Sequence, residues 1–344
     1  MGGCSIQKVL TRTVTALVGS AVTFFLLRNE FTCGHFLSIA CGITAYEYFH
    51  VIGPGLQIPT DLKYEHEGSK YAKRESVLTR RDRGPSKNLL VFICFVLTYT
   101  AHFGASDIYL AGVVIAVSTV TIIHFVFRWN RSKAPPTTLD VYDLFIDLNG
   151  VLIIWALGHM IMLRQHPKYG TAYIAIVLTV AWTADTGALF FGALFGRYTP
   201  KLMPVISPNK TWAGFFGALV AGIGIMLFLG LLMQHGYFFA VDASFERPVA
   251  STWVLLFIVG LLLGICSVAG DAIESVIKRA AGVKDAGSKL PGHGGFFDRL
   301  DSVAACSITM YLFILPYLLP LWDVYGPAIV QGVIDIWFVE HKEL

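Results

Sequence analysis

Charged side chains are scarce in this sequence. Lysine, arginine, aspartate and glutamate make up 14% of the 344 residues, whereas hydrophobic residues make up 55%. A soluble domain normally carries about 25% charged residues, so this composition excludes an ordinary water-soluble domain and indicates a chain whose solvent is lipid. The net charge of +3 is too small to indicate a nucleic-acid partner, and we expect none.

Cysteine-based metal motifs, a P-loop and a zinc-binding pattern around His293 are missing as well. The six cysteines form no CxxC pair and fall mostly within apolar runs, so we interpret them as small apolar core residues. No GxxxxGK[ST] sequence occurs, which excludes a P-loop. His293 has no second His or Cys at ligand spacing, which argues against a zinc site.

Long apolar runs are what the chain does contain. Each is about 18 residues or longer, which is enough to cross a hydrocarbon core of about 30 Å as a helix. The fold class predicted is therefore an all-α polytopic membrane protein with about nine transmembrane helices. These are predicted near residues 9–27, 33–53, 89–106, 107–127, 141–163, 171–195, 212–233, 249–272 and 302–322. Because only a short polar segment separates the third run from the fourth, the two are predicted to form a tight hairpin.

Three regions are predicted along the chain. Residues 1–170 form an N-terminal transmembrane region with a polar cytoplasmic insertion at 54–88. Residues 171–322 form a catalytic transmembrane region, and 323–344 form a C-terminal tail. If the N-terminus is cytoplasmic, 21 of the 26 Lys and Arg residues fall on the cytoplasmic side of the predicted spans. This positive-inside bias predicts a cytoplasmic N-terminus.

Five acidic residues fall in the predicted cytoplasmic halves of spans: Glu47, Asp143, Asp147, Asp185 and Asp271. A charged group at membrane depth costs several kcal/mol unless it is paired, hydrated or bound to a metal, so such residues indicate a functional site. An interhelical hydrogen bond is the simpler alternative for any one of them.

Two cytoplasmic loops carry the remaining polar chemistry. In the first, Pro204 and Pro208 interrupt helix, and Lys210 and Thr211 precede a helix predicted to begin at Trp212. Free N–H groups at a helix N-terminus suit a phosphate, although a polar turn at the membrane surface would look similar.

The second loop lies in residues 270–302, hereafter the signature segment, which reads "GDAIESVIKRAAGVKDAGSKLPGHGGFFDRLDS". Glycines let a backbone approach an anion, and basic side chains supply countercharge to phosphate oxygens. Carboxylates fit beside phosphates when a hard cation such as Mg²⁺ lies between them. The segment therefore predicts a metal and polyphosphate site at a membrane surface.

The signature segment resembles that of the phosphatidate cytidylyltransferases, also called CDP-diacylglycerol synthases. Its pattern S-x-x-K-R-x-x-x-x-K-D, followed by P-G-H-G-G-x-x-D-R-x-D, is filled here at every fixed position. The first loop, "SPNKTWAG", is similar to a second family element, S-P-x-K-T-x-E-G, but Ala213 stands where an acid is usual. "DTGALFFGALFGR", from Asp185, resembles a third.

The resemblance implies the reaction CTP + phosphatidate → CDP-diacylglycerol + pyrophosphate. It implies catalytic roles for Asp271, Lys284, His293, Asp298 and Arg299. It implies Mg²⁺, with a second monovalent or divalent cation as a further expectation, and ligands at Asp271, Asp298, Asp301 and Asp185. Substrate contacts are expected at Ser207, Lys210, Thr211, Ser275, Lys278, Arg279, Gly294 and Gly295.

The expected partners are CTP, phosphatidic acid and the lipid bilayer, with a homodimer as a family-level expectation. The expected location is the bacterial inner membrane with the site on its cytoplasmic side. Two alternative functions stay open at this stage. A CTP-dependent kinase of a polyprenol or phytol could use the same metal chemistry, and a secondary transporter for an anionic substrate could also carry acids at mid-membrane depth.

Overall fold

The structure is a computed structural model, and it describes residues 29–56, 86–103, 105–126, 138–167, 169–235, 250–287 and 294–321. Helices dominate these residues. In chain order they are α1 (Glu30–Glu47), α2 (Gly53–Leu56), α3 (Lys87–Thr100), α4 (Ser106–His124), α5 (Thr138–Arg164), α6 (Gly170–Phe195), α7 (Trp212–Gln234), α8 (Ala250–Ala280) and α9 (Phe297–Thr309). π-helical turns at Tyr48–Ile52 and Met310–Leu318 continue α1 and α9.

Seven helical stretches among the described residues are long and apolar enough to cross a membrane, and a shorter apolar helix spans Lys87–Phe103. Large apolar side chains on their surfaces face outward; Ile115 is 65% exposed and Leu189 is 76% exposed. An apolar surface of this kind is suited to lipid. The all-α polytopic fold is therefore confirmed.

Some of the predicted topology falls outside the described residues. This applies to the predicted span at 9–27, most of the insertion at 54–88 and the tail at 323–344. The count of nine helices and the cytoplasmic N-terminus therefore stay predictions. The predicted hairpin of the third and fourth spans is present as α3 and α4, which are joined by a short 3₁₀ turn at Ala101–Phe103.

The described residues form two compact units. Unit 1 contains Gly34–Ile161 and Val276–Arg299. Unit 2 contains 29–33, Met162–Ser275 and 300–321. The signature segment is consequently divided, because its central part belongs to unit 1 and both of its ends belong to unit 2.

In unit 1, the turn that follows α1 packs against α5. The Tyr48 hydroxyl donates to the Ile146 carbonyl at 2.9 Å. Gly150 leaves room for this contact, since a Cβ atom there would lie 2.6 Å from the Tyr48 and Phe49 rings. Aromatic side chains and a glycine thus bring the first described span close to α5.

In unit 2, glycines set the spacing of consecutive helices. A Cβ atom on Gly187 of α6 would lie 2.6 Å from the Gly217 carbonyl oxygen of α7, and one on Gly222 of α7 would lie 2.9 Å from the Gly260 carbonyl oxygen of α8. Small residues allow membrane helices to approach closely and gain dispersion contacts. Helices α6, α7 and α8 are therefore held at short range by backbone-to-backbone contacts.

A β-hairpin, which was not predicted from the sequence, joins α6 to α7. Strands β1 (Lys201–Met203) and β2 (Ser207–Thr211) pair antiparallel, with Lys201 opposite Thr211. Pro208 is compatible with β2 because a two-stranded hairpin leaves one edge of each strand unpaired. Helix α7 begins at Trp212, as predicted, and the Thr211 hydroxyl caps it by accepting from the Gly214 N–H at 3.2 Å.

Candidate active site

Lys210 of the β-hairpin reaches α8. Its Nζ atom lies 2.8 Å from Oδ2 of Asp271 and donates to the Ser275 hydroxyl at 3.4 Å. Thr199 accepts from the Ala213 N–H at 3.2 Å, and the Trp212 N–H donates to the Pro200 carbonyl at 3.2 Å, so the base of the hairpin is closed by hydrogen bonds. The hairpin therefore holds a lysine against the acidic residue Asp271 of α8.

Three carboxylates of unit 2 converge beside this lysine. One oxygen from each of Asp271, Glu274 and Asp301 lies within 4.8 Å of the others. Asp271 and Glu274 are three residues apart on α8 and so share a face. Gly270 lets α9 approach, because a Cβ atom there would lie 2.5 Å from the Asp301 carbonyl oxygen. Glu274, which was not among the predicted ligands, is 4% exposed.

Carboxylates grouped this closely repel one another unless cations compensate them. Lys210 supplies one positive charge to Asp271. Oxygen ligands from several carboxylates are what Mg²⁺ and Ca²⁺ prefer, so the donor set fits a hard divalent cation.

Asp185 of α6 lies among hydroxyl groups of the same unit. The hydroxyls of Ser267 on α8 and Ser302 on α9 each donate to its Oδ1 atom at 3.4 Å. These contacts bring three helices of unit 2 together at one carboxylate. Asp185 was predicted to be a metal ligand, and the structure gives it hydroxyl partners.

In unit 1, the carboxyl end of α8 closes with a Schellman motif. The Val283 N–H donates to the Lys278 carbonyl, and the Gly282 N–H donates to the Arg279 carbonyl, each at 3.0 Å. Gly282 has φ of +71°, which glycine adopts without strain. Arg279 is exposed, and its Nη1 atom donates to the Val283 carbonyl at 2.9 Å.

Asp298 lies at the centre of the hydrogen bonding in this part of unit 1. Its Oδ1 atom accepts from Lys278 Nζ at 2.8 Å. Its Oδ2 atom accepts from the Ala286 N–H at 3.0 Å and from the Gly295 N–H at 2.8 Å. Gly294, with φ of +80°, completes the turn that leads into α9. Asp298 therefore connects the end of α8, the following loop and the start of α9.

A second carboxylate supports the same turn. Glu47, at the end of α1, accepts from the Phe297 N–H at 2.9 Å through Oε2. Glu47 was recognised in the sequence as an acid at membrane depth, but no role was assigned to it. Its contact with the signature segment could not be found from local spacing, because the two residues are 250 positions apart.

The other predicted site residues have the following places. Lys284 and Arg299 are exposed, Ser207 is half-buried in β2, and Ser275 is buried on α8. His293 lies outside the described residues. Of the remaining acids at membrane depth, Asp143 is buried, and Asp147 contacts His124 Nε2 at 2.6 Å.

Residues 69–316 match the model of the cytidylyltransferase family. A phosphatidate cytidylyltransferase of Bacillus subtilis is 37% identical over 174 residues, which are 51% of this chain and 56% of that protein.

Two staphylococcal proteins with the same name are also similar. That of Staphylococcus epidermidis is 34% identical over 229 residues, covering 67% of this chain and 75% of the relative. That of Staphylococcus aureus is 40% identical over 204 residues, covering 59% and 66%. Because the family model matches residues 69–316, which are most of this chain, the chain belongs to the cytidylyltransferase family.

Proposed function

We propose that the protein is a phosphatidate cytidylyltransferase, which forms CDP-diacylglycerol and pyrophosphate from CTP and phosphatidic acid. The family and the names of the relatives support this function. The single observation that carries it is the group of Asp271, Glu274 and Asp301 beside Lys210 on apolar helices. Such a group would combine a cation site with a phosphate-binding lysine on helices suited to lipid.

The reaction exchanges one phosphorus–oxygen bond for another. A phosphate oxygen of phosphatidate attacks the α-phosphorus of CTP, and the bond from that phosphorus to the oxygen bridging the β-phosphorus breaks. Pyrophosphate leaves with the bonding electrons. The nucleophile is already ionised at neutral pH, so no general base is required, and catalysis rests on alignment and charge neutralisation.

Asp271, Glu274 and Asp301 would hold Mg²⁺ in this proposal. When bound, the cation supplies positive charge to phosphate oxygens and stabilises the pyrophosphate as it departs. Asp185 and Asp298 were predicted as further ligands, and a second cation was also expected. The N–H and ammonium partners of Asp298 support a positioning role for its carboxylate instead.

Lys210 would neutralise a substrate phosphate oxygen while remaining near Asp271. The exposed Lys284 and Arg299 extend from the signature segment, and with His293 they are proposed to bind phosphates. The remaining proposed substrate contacts are Ser207, Thr211, Ser275, Lys278, Arg279, Gly294 and Gly295. Lipid-facing helices would let the acyl chains stay in the bilayer, and the positive-inside bias supports a site on the cytoplasmic side of a bacterial inner membrane.

The decisive experiment uses two labelled forms of CTP. Purified protein is incubated with phosphatidate, Mg²⁺ and CTP labelled at either the α- or the γ-phosphorus. A cytidylyltransferase transfers the α-label to the lipid fraction and releases the γ-label as pyrophosphate. Transfer of the γ-label to an added polyprenol or phytol would instead indicate the lipid kinase, and label remaining in CTP would contradict both enzymes and favour the transporter.

A further inference from the structure

A buried carboxylate from the first described span contacts the signature segment. Glu47 is 1% exposed, and its Oε2 atom accepts from the Phe297 N–H at 2.9 Å within unit 1. Phe297 is the first residue of α9, and its N–H belongs to the first turn, whose N–H groups have no partner within the helix. A carboxylate at this position satisfies the N–H and interacts favourably with the helix dipole.

Two glycines of the signature segment lie directly against this carboxylate. A Cβ atom on Gly287 would be 2.6 Å from Oε1 of Glu47, and one on Gly295 would overlap Oε2 of the same carboxylate. Real Cβ atoms do not approach oxygen so closely, so any larger residue would displace the carboxylate or the loop. The glycines therefore allow the loop to fold around the Glu47 side chain.

Neighbouring contacts strengthen this attachment at both ends of the loop. The Tyr48 and Phe297 rings, both buried, have centroids 6.2 Å apart. Gly55 of α2 lies against the other end, since a Cβ atom there would overlap the Ala281 carbonyl oxygen. The residues that follow α1 thus contact the chain just after α8 and again at the start of α9.

We propose that Glu47 is a positioning residue for the proposed cytidylyl transfer, on which this inference rests. Its carboxylate and that of Asp298 support the same turn, because Asp298 accepts from the Gly295 N–H at 2.8 Å and Glu47 accepts from the Phe297 N–H. Glu47 fixes the direction in which residues 294–299 leave the turn, and with it the position of Arg299. This assigns a role to an acid at membrane depth whose charge would otherwise be costly.

The first test compares Glu47→Gln, which keeps a carbonyl acceptor for the Phe297 N–H, with Glu47→Leu, which has similar bulk and no acceptor. We expect Glu47→Gln to keep turnover within about threefold of wild type and Glu47→Leu to lose at least about thirtyfold in kcat, roughly 2 kcal/mol. Asp147→Asn is the control, because it alters a half-buried acid of the same unit that contacts the buried His124. It should lower thermal stability about as much as Glu47→Leu with little effect on kcat.

Equal kcat values for Glu47→Leu and Asp147→Asn would overturn the proposal, as would an equal loss for Glu47→Gln and Glu47→Leu. If Glu47 had only a structural role, Glu47→Leu would keep the same kcat as a control variant of equal thermal stability.

A second test does not depend on activity and applies even if Glu47→Leu fails to fold. Gly287→Ala should lower the unfolding temperature, because the new methyl group meets the Glu47 carboxylate. Glu47→Asp shortens that side chain, so the double variant should be more stable than the sum of the two single losses predicts. Strictly additive losses would show that the contact is absent. If wild type forms no liponucleotide, the proposed function fails, and this cycle still decides whether the contact exists.

Discussion

Lys278 and Asp298 form an ion pair that is almost withdrawn from solvent. Lys278 Nζ lies 2.8 Å from Oδ1 of Asp298, and the two side chains are 11% and 5% exposed. The pair joins the last turns of α8 to the first turn of α9 within unit 1. Because Asp298 also accepts from the Ala286 and Gly295 N–H groups, its carboxylate contacts both described ends of the loop between these helices.

Removal of Asp298 alone should lower the unfolding free energy more than removal of both members of this pair. Asp298→Leu removes the carboxylate that lies 2.8 Å from the buried Lys278 ammonium, and we expect a loss of about 3–5 kcal/mol in unfolding free energy. The double variant Lys278→Met with Asp298→Leu removes both charges and should recover part of that loss. Thermal unfolding in detergent measures each, and a double variant as unstable as the two single losses added together would contradict the pairing.

Lys210 should matter more to the reaction than to stability. Its pair with Asp271 is partly solvated, with side-chain exposures of 21% and 37%, so the pair contributes little to folding. We expect Lys210→Met to lose at least about a hundredfold in kcat/KM for CTP, roughly 2.7 kcal/mol. Lys201→Met is the matched control, at the exposed first residue of strand β1. Steady-state kinetics measure the effect of each variant on the reaction, and thermal unfolding measures its effect on stability. Similar kcat/KM values for Lys210→Met and Lys201→Met would exclude Lys210 from the site.

Divalent cation binding should be measurable without substrate. We expect Mg²⁺ at about a hundred times its dissociation constant to stabilise the wild-type protein by about 2.7 kcal/mol. Glu274→Gln removes one carboxylate of the acidic group and should weaken this effect, whereas Asp107→Asn at the start of α4 should not. EDTA should reverse the stabilisation and abolish turnover. Equal Mg²⁺ titrations for the two variants would place the cation elsewhere.

Two glycines of α7 offer a test of helix packing. A Cβ atom on Gly217 would lie 2.5 Å from Phe191 Cβ, whereas nothing lies within 4 Å of one on Gly224. Gly217→Ala should therefore destabilise unit 2 by about 1–3 kcal/mol through overpacking. Gly224→Ala should be neutral or stabilising by up to about 1 kcal/mol, because alanine favours helix over glycine. Thermal unfolding of both variants checks the sign of each change.

The orientation predicted from the charges can be tested across α6 alone. Cysteines replacing Pro167 and Lys201 flank this helix at exposed positions. In the predicted topology Pro167 lies on the outer side of the membrane and Lys201 on the cytoplasmic side. In intact cells an impermeant maleimide should label the first position and leave the second unlabelled until the membrane is permeabilised. The reverse pattern would place the hairpin and the proposed site on the outer side.

Local patterns predicted much of this protein. Apolar run length predicted the spans, and the proline-rich loop predicted the start of α7 at Trp212. The resemblance of the signature segment identified the family. These features depend only on residues that are close together in the chain, so they can be recognised in a single sequence.

Contacts between distant segments could not be predicted in the same way. The β-hairpin is short and contains Pro208, so its strands have no clear alternation. Glu274 shares a helix face with Asp271, and that spacing could have identified it. The contact between Glu47 and Phe297 depends on packing between segments 250 residues apart, which no local periodicity encodes.

That separation also sets an order of events during synthesis. The last segment of unit 1, Val276–Arg299, is translated after Met162–Ser275 of unit 2. At about 5–20 residues per second, a ribosome needs roughly 12–50 s to travel from Glu47 to Phe297. For that time the nascent membrane protein contains the Glu47 carboxylate but not yet the Phe297 amide that donates to it.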